Sequence, residues 1–322
     1  MFTLSELEDA HRLITTRMPA TPQYAWPQLA REVGTEVWVK HENHTPTGSF
    51  KVRGAFTFID WLTRTHPESP GIITATRGNH GQGQSLAATR AGLKAVIYAP
   101  HGNSVEKNAA MRAFGANLIE FGDDFDEAKE EALRVATTEG LAFVPPFHKE
   151  LVRGVATYAY ELLLAQPDLD TLYVPIGCGS GICGCIAARD ALSRATRIVG
   201  VVSENAQTAK LSAEARRPIE TNSANTFADG MAVRMPVKAA LDIYSDGADR
   251  ILTVSDDAVA RAIRIYYRGI HNLAEGAGAA ALAALIQEKD RMAGQKVAVI
   301  LTGGNIDTDW FLTVMQGGVP SV

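Results

Sequence analysis

Short runs of β-branched and aliphatic residues alternate along this chain with longer stretches in which apolar residues recur every three or four positions. The strand candidates are Glu36–Lys40, Ile72–Ala75, Ala95–Ala99, Asn117–Phe121, Thr171–Ile176, Arg197–Val202, Arg250–Val254 and Val297–Leu301. Between them fall helix patterns: Gly83–Ala91 before Gly92, Ser104–Phe114 before Gly115, and Asp124–Thr138 ending near Gly140. Ser5 and Glu8 have the spacing of a capping box for a helix at the N-terminus. Strands alternating with helices predict an α/β protein with mostly parallel sheets, one or two of them. Pro145 and Pro146 interrupt the pattern within Phe143–His148, which places a seam there.

With 322 residues there is room for two domains. The 46% apolar and 21% charged shares are those of an ordinary globular chain. A net charge of −5 without a basic run gives no case for nucleic acid. No apolar run approaches the roughly 18 residues of a membrane span, and Glu6, Glu8 and Asp9 break up the stretch where a secretory signal would be apolar. The expected location is therefore cytoplasmic. Cys178, Cys183 and Cys185 crowd together without a paired CxxC or a nearby His, so they read as small packing residues and no metal site is expected. The chain runs only a short way past its last strand, and no appended regulatory domain is expected.

The candidate chemistry centres on His41–Ala55, HENHTPTGSFKVRGA. Thr45, Pro46, Thr47, Gly48 and Ser49 are turn and cap residues, while Ala55, Phe58, Ile59 and Leu62 follow a helical stripe. Lys51 thus opens a helix directly after a tight turn. An ammonium at the positive end of a helix dipole, partly desolvated, has its pKa lowered, as a Schiff-base lysine requires. A surface helix can also simply begin with Lys, so the neighbouring motifs decide.

Four glycine-rich segments fall at strand-to-helix junctions, where open α/β sheets bind ligands. Thr76-Arg77-Gly78-Asn79-His80 can turn backbone N–H groups toward an anion. Gly177-Cys178-Gly179-Ser180-Gly181 follows a strand and can close on a phosphate, but it fits neither GxxxxGK[ST] nor GxGxxG. Glu275-Gly276-Ala277-Gly278-Ala279 opens an Ala-rich helix, where Glu275 serves either a ligand or the helix dipole. Thr302-Gly303-Gly304-Asn305 follows the last strand. A lysine, a phosphate cup and no metal cluster together suggest a phosphorylated aldehyde cofactor.

Thr47–Ala55, Gly78-Asn79-His80-Gly81-Gln82, the Gly177–Gly181 cup, Glu275–Ala279 and Thr302–Asn305 together resemble the threonine/serine dehydratase and serine racemase family, pyridoxal-phosphate enzymes of fold type II. The resemblance spans nearly the whole chain and implies the tryptophan synthase β-like fold, α/β with two open, mostly parallel twisted sheets flanked by helices. Residues 1–52 with 146–322 would form a large cofactor-binding domain and residues 53–145 a small one. It implies pyridoxal 5'-phosphate held covalently by Lys51, which also removes the substrate Cα proton. Phe50 packs near the cofactor, Asn79 bonds its 3'-oxygen, and Gly177, Cys178, Gly179, Ser180 and Gly181 bind its phosphate. Glu275 belongs to the same cofactor site, and Thr302 takes the place of the hydroxyl partner of the pyridine nitrogen. Thr76, Arg77, Gly78, Asn79 and His80 receive the substrate carboxylate. The implied reaction is α,β-elimination from an L-β-hydroxy amino acid, threonine or serine, to a 2-oxo acid and ammonia, in a homodimer.

Three departures from the family pattern matter. Arg77 stands where a small hydroxyl residue is usual and where racemases keep a serine base. Arginine is no useful base, so racemisation should be poor; 3-hydroxyaspartate or a β-aryl serine become alternative substrates, and an amino-acid racemase stays the rival activity. Ser203 replaces an acidic metal ligand of some members, with Glu204 displaced by one. Cys178 and Ser180 occupy usual glycine positions, which backbone recognition tolerates if neither needs φ > 0.

Overall fold

The computed structural model describes residues 1–321. Ten strands are present: β1 (Gln23–Ala25), β2 (Val37–His41), β3 (Gly71–Ala75), β4 (Lys94–Ala99), β5 (Asn117–Glu120), β6 (Ala142–Phe143), β7 (Thr171–Pro175), β8 (Arg197–Ser203), β9 (Arg250–Val254) and β10 (Val297–Leu301). They form a six-stranded sheet in the order β1-β2-β10-β7-β8-β9 and a four-stranded sheet in the order β5-β4-β3-β6. Every pairing is parallel except β1 with β2. All eight expected strands are observed, with no end shifted by more than one residue. The two that the sequence pattern misses, β1 and β6, have three and two residues, too few to show a period.

The fully buried strands are the strongest apolar runs. All five residues of β3, β7 and β10 are buried, as parallel strands covered on both faces require. Helices Gly276–Gln287 and Lys149–Ala165 cover the large sheet, and their buried Ala, Leu and Val side chains complete its core.

Two local expectations need correction. The first helix is capped by Thr3 and Glu6, not by Ser5 and Glu8: Thr3 has extended backbone angles, and Ser5 already lies inside the first turn. The helix expected over Gly83–Ala91 begins four residues earlier, at Asn79. Its glycines allow close packing rather than turns. A Cβ on Gly83 would meet the backbone of Lys51 and Val52 at 3.1 Å, so this helix presses directly on the start of the preceding one.

That neighbour, Lys51–Thr65, is tied down by buried charge. Arg53, fully inaccessible, donates to Glu42 (2.7 and 3.0 Å), Glu161 (2.8 and 2.9 Å), Thr157 (2.9 Å) and Thr21 (3.2 Å). Lys40 from β2 donates to Glu161 at 2.6 Å. Burial alone would raise the Glu161 pKa, but His11, Arg53 and Lys40 hold it well below the ordinary carboxylate range. Two cations and two carboxylates thus lock the lysine helix onto β2 and helix Lys149–Ala165.

Candidate active site

The sequence-predicted site residues come together in one pocket of about 140 Å3. Phe50, Lys51, Thr76, Arg77, Gly78, Asn79, His80, Gly177, Cys178, Gly179, Ser180, Gly181, Glu275 and Thr302 all line it. Topology explains the convergence. Thr76–His80 follows β3, Gly177–Gly181 follows β7 and Thr302 follows β10, so the pocket lies at the carboxyl ends of parallel strands of both sheets.

Lys51 is held from both sides. The Phe50 N–H donates to the Thr302 carbonyl at 3.0 Å, and Ser49 bridges to Gly303, which stitches the turn to the end of β10. The Lys51 Nζ lies 3.5 Å from Ser180 Oγ and 4.9 Å from the centroid of the Phe50 ring. No carboxylate pairs with it among the described residues. Burial pushes its ammonium pKa down, only partly offset by Cys178 and Glu275. The amine is therefore more nucleophilic than a solvated lysine.

Opposite it, Ser180 opens the helix Ser180–Ala191, so the cup residues present N–H groups at the positive end of a helix dipole. Gly179 alone of the five takes a left-handed conformation, at φ +96°; Cys178 and Ser180 do not, and the substitutions at those positions carry no strain. Tyr158 supports the cup from below, donating to the Gly181 carbonyl at 3.1 Å and meeting the Phe50 ring edge-on. Cys183 and Cys185 are buried packing residues as expected, whereas Cys178 is half-buried in the pocket wall. The Thr302 side chain is buried, and its hydroxyl has no partner among the described residues.

Asn79 begins the helix Asn79–Arg90 and is fixed at both ends of its amide. Its Nδ2 donates to Glu275 (2.8 and 3.0 Å), and its Oδ1 accepts from Asn305 at 2.7 Å. Glu275 occupies the cap position of helix Gly276–Gln287 but bonds none of that helix's N–H groups; its side-chain hydrogen bonds go to Asn79. Burial pushes its carboxyl up to about 7, against the opposing pull of Lys107 and Asn79. Beside Asn79, burial and the Lys51 charge push His80 down to about 3, leaving it neutral. The Gly78 N–H is already accepted by Thr76 Oγ1 at 3.1 Å, so it is less free for an anion than its neighbours. Arg77 is exposed at the rim with no ion pair among the described residues.

Three residues of the site escape sequence reasoning. Asn305 lies within a motif that was recognised, yet its role emerges only from its bonds to Asn79 and to the Thr47 carbonyl (2.8 Å). Lys107 and Asp229 line the pocket as an ion pair between a buried lysine and a half-buried aspartate. They come from the helix Val105–Ala113 and the short 3-10 turn Asp229–Met231, and nothing in their local sequence sets them apart. Ser203 is buried beside Asp256 and Glu204 is exposed. Among the described residues no group of three or more His, Cys, Asp or Glu side chains is arranged to hold a metal.

The donor set fits a phosphorylated pyridine aldehyde: an unpaired, desolvated amine, a helix-terminal N–H cup and an unpartnered hydroxyl. Comparison with known proteins agrees. Residues 14–303 match the family model described as pyridoxal-phosphate dependent enzyme. The chain is 32% identical over 320 residues to an L-threonine ammonia-lyase of Thermotoga maritima, covering 99% of this chain and 79% of that one. It is 32% identical over 290 residues to the biosynthetic L-threonine dehydratase of Escherichia coli, covering 89% of this chain and 56% of that protein. It thus spans little more than half the length of that relative. The processed form of threonine deaminase isoform 2 from Solanum lycopersicum superposes with a TM-score of 0.91 at 28% identity, over 97% of this chain and 87% of that one. On its motifs, its pocket and these likenesses, the chain belongs to the fold-type-II pyridoxal-phosphate-dependent enzymes, in the family of the threonine/serine dehydratases and serine racemases.

Proposed function

We propose that this protein is a dehydratase, an ammonia-lyase that converts L-threonine or L-serine to the 2-oxo acid and ammonia by α,β-elimination. The observation that carries the reading is the desolvated Lys51 amine facing the Gly177–Gly181 cup across one pocket. Pyridoxal phosphate, when bound, supplies an electron sink for the charge that develops at the substrate Cα. Lys51 Nζ would hold the cofactor, and its free amine would serve as the base that takes the substrate Cα proton. The N–H groups of Gly177, Cys178, Gly179, Ser180 and Gly181 hold the phosphate, and Phe50 walls the ring. Glu275 and Asn305 orient the Asn79 amide toward the ring oxygen. Thr302, a hydroxyl and not a carboxylate, would partner the ring nitrogen of the bound cofactor. The Thr76–His80 segment takes the substrate carboxylate. In support, the relatives that match over nearly the whole chain bear the names threonine ammonia-lyase and threonine dehydratase.

Arg77 favours a second reading of the side chain accepted. An exposed guanidinium without a partner, at the pocket rim, suits 3-hydroxyaspartate or a β-aryl serine. The same residue argues against racemisation, because it cannot take a proton on the opposite face. A substrate panel read out as 2-oxo acid and ammonia tests both readings, with Lys51→Ala as the inactive control. Failure of every β-hydroxy amino acid would overturn the assignment.

Three further points belong to this proposal. The two sheets support a division into 1–52 plus 146–322 and 53–145, with the pocket between the parts. Exposed Tyr267 and Leu312, with Phe311 against Tyr267, suit a homodimer face that sedimentation would reveal. Three unpaired cysteines suit a reducing cytoplasm.

A further inference from the structure

A cleft of about 470 Å3, larger than the lysine pocket and sharing no lining residue with it, opens beside β6. Phe58, Trp61 and Leu62 form one wall, on the helix that begins with Lys51. Phe143, Pro145 and His148 form the other, on the segment that leaves the small sheet. The rings pack as a unit: the centroid of Trp61 lies 5.3 Å from Phe58 and 4.9 Å from His148. His148 Nδ1 accepts the Glu150 N–H at 3.2 Å, so the neutral ring carries its hydrogen on Nε2.

The backbone of β6 adds directional polarity. β6 is an edge strand, paired only with β3. The Val144 N–H donates to the Ile73 carbonyl at 2.8 Å, a parallel register that turns the N–H and C=O of Phe143 away from the sheet. Neither has a partner among the described residues. An acceptor and a donor, side by side on one half-buried residue, therefore border an aromatic cleft.

We propose that this cleft binds a flat bicyclic nitrogen heterocycle that carries an acceptor beside an N–H donor on one edge, as purine bases do. The ring lies against the accessible faces of Trp61 and His148, with Phe58 packed behind them, and its edge pairs with the N–H and C=O of Phe143. An apolar pocket with a few fixed polar groups is the usual form of such a site. The Lys51 helix forms one wall, so occupancy also bears on the element that carries the lysine.

The test is calorimetric titration of the cofactor-loaded full chain with 7-azaindole, which has that edge, and with indole, which has the same shape and N–H but lacks the acceptor. Saturable binding of 7-azaindole to one site is expected, with indole several-fold weaker. Trp61→Ala should weaken 7-azaindole about tenfold or more by removing the stacking face; Trp61→Leu makes the same comparison if the alanine variant does not fold. Absence of saturable heat, equal binding of indole, or unchanged affinity in a folded Trp61 variant would each overturn the proposal.

Discussion

Replacing Arg53 with methionine removes the centre of the buried charge cluster while roughly keeping its volume. The guanidinium makes six hydrogen bonds, four of them to Glu42 and Glu161, and has no exposed surface. Without it Glu161 keeps Lys40, but Glu42 keeps only the Thr21 hydroxyl, at 2.6 Å. Breaking a buried pair from one side costs about 3–5 kcal/mol, because the remaining charge is left in a poorly solvating interior. An unfolding entropy of about 2 cal/mol/K per residue over this chain converts that to a Tm lower by about 4–7 °C.

The pH dependence separates electrostatics from lost packing. Glu161 has its folded pKa depressed from 4.5, so its contribution is fully present above that value and is lost as pH falls through the folded pKa. That contribution depends on Arg53, so the deficit of the variant should be largest near neutrality and shrink below about pH 4.5. Adding Glu42→Gln to Arg53→Met should restore part of the stability. Urea unfolding followed by fluorescence at several pH values measures all of this. A deficit under about 1 kcal/mol, or one that does not change with pH, would refute the reasoning.

Other perturbations address the pocket. Lys51→Ala should abolish 2-oxo acid formation and leave the circular dichroism spectrum unchanged; retained turnover would remove Lys51 from the chemistry. Glu275 has its pKa raised from 4.5 to about 7 on folding, so it takes up a proton and its burial destabilises the protein increasingly as pH rises through that window. Between pH 4.5 and 8, cofactor-stripped wild type should lose about 3 kcal/mol more than Glu275→Gln, and parallel pH profiles would contradict this. Arg77→Ser should change the ratio of kcat/KM between acidic, aryl and methyl side chains more than it changes cofactor content. An unaltered ratio would show that Arg77 does not touch the substrate.

Strands such as β3, β7 and β10 were legible because burial on both faces demands continuous apolar runs, and those runs end in the glycine motifs that build the pocket. Lys51, the Gly177–Gly181 cup and Thr302 could be found because each motif is local in sequence. Asn305, Lys107 and Asp229 could not, since each acts through a partner far away in the chain. The Arg53 cluster was hidden for the same reason: Glu161 reads as one polar position in an apolar helix until folding brings it to β2 and Arg53. The start of helix Asn79–Arg90 was hidden because Asn79-His80-Gly81-Gln82 carries no apolar residue to show a period, and its glycines act as contact surface.

The central claim is that the cofactor is joined to Lys51 and to no other lysine. Borohydride reduction of the cofactor-loaded protein, followed by proteolysis and mass spectrometry, tests it most directly. The expected result is a single pyridoxyl group on the peptide containing Phe50-Lys51-Val52. A pyridoxyl group on Lys107 or any other lysine, or none at all, would contradict the account.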